Sequence, residues 1–100
     1  MNIHFSSDAM TIFNNCDLLN DELQNLSSIA TSILSEYNIE CILVKEHIIQ
    51  GCVLITIFVD KPISEMFDIN WALAGILAES VVDMRSDVLI FEYSSIQCIG

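Results

Sequence analysis

A chain of 100 residues, 53% of them hydrophobic, has the length for one domain and enough apolar material to bury a core without metal or disulfide support, which excludes disorder as its default state. Fourteen Asp and Glu against three Lys and Arg give a formal net charge of −11; such a surface repels phosphate backbones and anionic headgroups, so neither direct nucleic-acid binding nor a membrane partner is expected. No apolar run approaches the roughly 20 residues of a bilayer span, and Met1–Ser6 lacks the basic and apolar regions of a secretory leader, so a cytoplasmic location is expected.

In chain order, Ile3–Phe5 and Met10–Phe13 are short apolar segments separated by Ser6-Ser7-Asp8. The second, Met10-Thr11-Ile12-Phe13, is rich in strand formers and is predicted as the first strand, with Asn14–Asp17 as a turn. From Asn20 or Asp21 to Tyr37, the residues Leu23, Leu26, Ala30, Ile33, Leu34 and Tyr37 recur at helical spacing and predict an amphipathic helix. Asn20 suits its N-cap, Asp21 and Glu22 the positive end of its dipole, and Asn38 its stop. Ile39–Glu46 is strand-like, and Gly51 marks a turn. Cys52–Val59 is apolar at nearly every position, as in a central strand covered on both faces. Two strands this close predict an antiparallel hairpin.

Pro62 ends the second of these strands. Ser64 or Asp68 is expected to cap a second helix running to about Met84, apolar almost all round, with Trp71 read as core in preference to an interface anchor. Its Ala72, Gly75 and Ala78 form a small-residue face expected to lie against a sheet. Val88–Tyr93 is the last predicted strand, and the tail to Gly100 is read as a further edge.

This order, β-α-β-β-α-β over residues 1–100, resembles the ferredoxin-like fold: an α+β two-layer sandwich with both helices on one face of an antiparallel sheet, here with extra terminal strands. The resemblance lies in element order and carries no function with it. It implies that the other sheet face, apolar along Cys52–Val59, must be covered by terminal segments, by a second copy or by another protein. It also divides the acidic residues between the two ends of the sheet. Asp17, Asp21, Glu22, Glu46, Asp83 and Asp87 gather at one end. Glu36, Glu40, Asp60, Glu65, Asp68 and Glu92 gather at the other, opposed only by Lys61.

Sites of covalent or metal chemistry are not expected. Cys16, Cys41, Cys52 and Cys98 stand 25, 11 and 46 residues apart, which fits no metal or redox motif, so they are read as free thiols. His47 and Cys52 would need an electropositive pocket to act as base and nucleophile; this chain is electronegative, and Cys52 reads as core. Asp60, Glu65 and Asp68 match no calcium loop, and Pro62 breaks the pattern. Glycine-rich phosphate loops, nucleophile elbows and zinc-protease motifs are absent from the sequence. No catalytic residue, metal or cofactor is therefore assigned, and the chain is not read as an enzyme.

The remaining signal is charge. It predicts an inhibitor that neutralises a basic protein partner, most concretely a bacterial immunity protein blocking a cationic nuclease toxin, with carboxylates standing in for phosphates. In size, acidity and expected location the chain is similar to the immunity proteins of colicins and of contact-dependent inhibition systems, a resemblance of composition over its whole length. Phage-encoded inhibitors of nucleic-acid enzymes share the same physics. The expected contact set is Glu36, Glu40, Asp60, Glu65, Asp68 and Glu92. Two alternatives use the uncovered sheet face: a homodimeric small-molecule-binding or regulatory domain paired through it, and a small enzyme with its pocket there.

Overall fold

The computed structural model describes residues 3–79, 85 and 87–98. Its first element corrects the expected strand at Met10–Phe13, which lies inside helix α1 (Ser7–Asn15). Ser6 caps that helix: the Ala9 N–H donates to its hydroxyl oxygen at 3.1 Å. Ala9 and Phe13, four residues apart, are fully buried, and Phe5 meets the Phe13 ring edge-on with centroids 5.1 Å apart. A cap, a buried i,i+4 pair and a ring contact together outweigh the strand propensity of Thr11 and Ile12. The helix ends where Asp17 takes a left-handed φ of 58° and Leu18 N–H donates to the Phe13 carbonyl at 2.9 Å.

Helix α2 (Asn20–Glu36) starts after Leu19, which supplies no side-chain cap, so Asn20 is its first residue and not its N-cap. It buries Leu23, Leu26, Ala30 and Ile33, whereas Tyr37 lies just past its end and is exposed. Asn38 stops the helix as expected, with φ 55°, and Ile39 N–H closes on the Leu34 carbonyl at 2.8 Å.

Strands β1 (Cys41–Ile49) and β2 (Cys52–Val59) form the antiparallel hairpin. Gln50 and Gly51 join them with φ values of 51° and 79°, the positive pair that a tight two-residue hairpin turn requires. A 3-10 turn (Ile63–Glu65) leads into α3 (Met66–Glu79), and β3 (Leu89–Ser95) then pairs parallel to β2. Residues 80–84, where the predicted second helix continues, and Asp83 among them, lie outside the described residues.

The fold is α+β, but the ferredoxin-like order is not found. In that fold a strand from the N-terminal unit separates the two parallel strands of the second βαβ unit. Here the N-terminal segment is helical, so nothing intervenes, and β2 and β3 pair directly in a mixed sheet of order β1-β2-β3. The expected extra strands are also corrected. Residues 3–6 form no strand, and Ile96–Cys98 is a 3-10 turn. Ser95 holds that turn, its hydroxyl donating to the Lys61 carbonyl and accepting from Gln97 N–H.

One sheet face carries the core. Val53, Ile55, Ile57 and Val59 are fully buried there, each burial worth about 1.5–3 kcal/mol. Beside them lie Leu89, Phe91 and Tyr93, and the Tyr93 hydroxyl donates to the Ala30 carbonyl of α2, bonding sheet to helix. Burial, with a smaller contribution from the nearby Cys41 thiol, pushes the Tyr93 phenol well above its ordinary pKa. Asn70 of α3 treats the outer edge of β3 as a strand would. Its amide donates to the Tyr93 carbonyl at 2.9 Å and accepts from the Tyr93 N–H at 2.8 Å. Among the described residues, no helix is long and apolar enough to cross a membrane.

Candidate partner-binding site

The open end of the hairpin brings carboxylates together through the backbone. Glu40 N–H donates to Asp60 Oδ1 at 3.3 Å, and Asp60 N–H donates to the Glu40 carbonyl at 3.2 Å. Pro62 then turns the chain, and Glu65 and Asp68 follow on the 3-10 turn and the first turn of α3. With Tyr37, Ile39, Lys61 and Trp71 among its other walls, Glu65 and Asp68 line an open groove of about 520 Å³. Glu36, the last residue of α2, precedes Tyr37 at the same end. All five carboxylate residues are exposed.

The aromatic residues of this end depart from expectation. Trp71 is 72% exposed and Phe67 75%, and their rings stack on α3 with centroids 6.2 Å apart and planes 15° from parallel. The core-facing residues of α3 are Ile69 and Leu73. Phe67 and Trp71 each lie two positions away, a rotation of about 200° around a helix, so they must face outward. Gly75 and Ala78 are exposed as well, with nothing within 4 Å of a Cβ built at Gly75; of the expected small-residue face, Ala72 alone packs against the core. Because α3 is apolar nearly all round, its sequence pattern carried no preference for one face. The outcome is an exposed aromatic pair whose Trp71 lines a groove together with Glu65, Asp68 and Lys61.

Glu92 does not join this end. It sits in the middle of β3 on the sheet face that none of the described helices covers, and accepts a 3.0 Å hydrogen bond from the Thr56 hydroxyl. That face also carries Leu43, Lys45, His47 and Ile49 from β1, half-buried Cys52, Leu54 and Phe58 from β2, and Ile90 from β3. Lys45, Thr56 and Glu92 stand in register as one polar row across it, with the Lys45 ammonium 5.8 Å from the centroid of the Phe58 ring. Cys52 is thus not core. His47 pairs with Leu54, and Cys52 with Ile49, so the two lie diagonally across the hairpin.

Glu46 is occupied elsewhere: its carboxylate accepts from both the backbone N–H and the hydroxyl of Ser6, tying the start of α1 to β1. Burial pushes the Cys41 thiol up, a backbone hydrogen bond at Leu43 offsetting part of the rise; this is opposite to the shift that activates a nucleophile. Among the described residues no group of three or more His, Cys, Asp or Glu is placed to hold a metal ion. Compared with known protein families, curated proteins and solved structures, the chain matches none.

Proposed function

We propose that this chain is a binding protein that inhibits a basic partner by closing its acidic, aromatic end over a cationic surface. The observation that carries the reading is an open groove lined by exposed Trp71, itself stacked with Phe67, and by Glu65 and Asp68 beside Lys61, with the bonded pair Glu40 and Asp60 and the Glu36 that precedes Tyr37 on the neighbouring segments. A cleft that binds phosphate presents Arg and Lys. Guanidinium groups stack on aromatic faces and take carboxylates in a bidentate fork, so this end is matched to them in both respects. Aromatic side chains supply the buried anchors of protein interfaces, and surrounding charges set the rate of encounter. The most concrete version is an immunity protein that occupies the active cleft of a nuclease toxin in the cytoplasm. Its carboxylates would act as acceptors and charges, with no chemistry of their own. Glu92 belongs to a separate surface and is dropped from the core of the contact set.

The test is co-expression with a cationic nuclease domain, sought first among the genes adjoining this chain's own, followed by stopped-flow association with an inactive form of that domain. Rescue of growth and an association rate that falls steeply with salt are expected. Neutralising Asp60, Glu65 and Asp68 together, to Asn, Gln and Asn, should leave the fold intact and slow association about tenfold at low salt. An unchanged low-salt rate for the triple variant would refute the assignment of this end.

A further inference from the structure

We infer that the open sheet face receives a second copy of this chain, around a two-fold axis that lies in the interface and runs along β2. The face has an apolar part, with Ile49 56% and Ile90 42% exposed and Leu54 and Phe58 half-buried at its centre, beside the polar residues Lys45, His47, Thr56, Glu92 and Ser94. It is also locally neutral. In a chain of net charge −11, its formal charges are one Lys45 on β1 and one Glu92 on β3, at opposite margins of one row.

That placement selects both the occupant and its orientation. A two-fold axis along β2 exchanges left and right but keeps height along the strands. The β1 of each copy then covers the β3 of the other, Lys45 meets the second copy's Glu92 twice, and Leu54 and Phe58 pack against their own counterparts. An axis across the strands would set Lys45 on Lys45 and Glu92 on Glu92, which like-charge repulsion disfavours. The observed geometry is thus self-complementary, as an isologous interface requires. Both charged groups are already held in place, Glu92 by Thr56 at 3.0 Å and Lys45 over Phe58. The size of the face sets the strength. Three strands of seven to nine residues give a footprint of about 14 by 24 Å, smaller than the roughly 800 Å² per partner of a standard interface. The dimer is therefore weak and concentration-dependent.

Sedimentation velocity on the full chain from 10 µM to about 1 mM tests this, with circular dichroism confirming that each variant is folded. The wild type should pass from monomer to dimer across that range. Lys45→Glu and Glu92→Lys should each weaken self-association at least tenfold. An equimolar mixture of the two variants should dimerise again, because every cross-pair is then of opposite sign. A wild type that stays monomeric throughout, which would leave the face to a foreign protein, overturns the inference. So does a mixture of folded variants that fails to associate, or single variants that dimerise as the wild type does. The acidic end is untouched by these changes, so binding of a cationic partner is read separately.

Discussion

Two surfaces of this molecule expose comparable apolar residues and differ in what surrounds them. At the groove end, Trp71 and Tyr37 share one lining with Glu65, Asp68 and Lys61, and Phe67 stacks on Trp71. On the open sheet face, Leu43, Ile49 and Ile90 flank a row holding one base and one acid. Apolar exposure alone marks a place where something binds; the charge around it specifies what. The first surface excludes another copy of itself by repulsion and favours a cation. The second carries its own complement. Salt should separate them by sign: screening weakens capture of a basic partner, while it relieves the repulsion between two chains of −11 and strengthens self-association.

The sharpest way to break this comparison is Trp71→Ala. As an exposed anchor it should raise the dissociation rate of a basic partner roughly 30-fold or more and leave self-association and melting temperature nearly unchanged, as calorimetry and sedimentation would read. Loss of stability instead would mean that the aromatic pair serves the core. A smaller effect is expected at Tyr93, which fastens the helical layer beneath both surfaces. Tyr93→Phe should cost about 1 kcal/mol in urea unfolding and disturb neither interface in the folded state. Its pH signature is specific. The phenol pKa is raised by folding, so the stabilisation it gives is complete below the unfolded value near 10 and is lost as pH rises past it. Wild-type stability should therefore fall above about pH 10, with the Phe variant lacking that component. The smallest effect is at Glu36. A carboxylate in the last turn of α2 opposes the helix dipole, so Glu36→Gln should raise the melting midpoint by roughly 1–4 °C while weakening the groove's hold on a cation. A residue that costs stability yet serves binding sharpens the view of this end as functional.

The hairpin was legible in the sequence because Cys52–Val59 is strand-forming throughout and Gly51 marks the turn. So was α2, whose apolar stripe has helical spacing. Met10–Phe13 misled because four residues cannot separate a helical from a strand period; the usable signals were Ser6 as a cap and the i,i+4 pair Ala9 and Phe13. That single error removed a strand and with it the antiparallel order, since the pairing of β2 with β3 depends on what lies between them. That Glu40, Asp60, Glu65 and Asp68 lie at one end of the hairpin and the helix that follows was legible because they flank strand ends and a proline turn. Glu92 was misplaced for a definite reason: ending the last strand at Tyr93 sets Glu92 at its tip, whereas the strand runs to Ser95 and leaves Glu92 in its middle. Trp71 was illegible because a helix apolar on all sides hides which side is inward.

The pairing of Asn70 with Tyr93 limits how the sheet can grow. One side-chain amide occupies the N–H and C=O of Tyr93, two residues before the end of β3, so an incoming strand would have to evict it before zipping on. The opposite margin, β1, carries a register shift between Cys41 and Leu43. Strand addition along the β3 border is thereby discouraged, and assembly on that side is channelled through faces and ends.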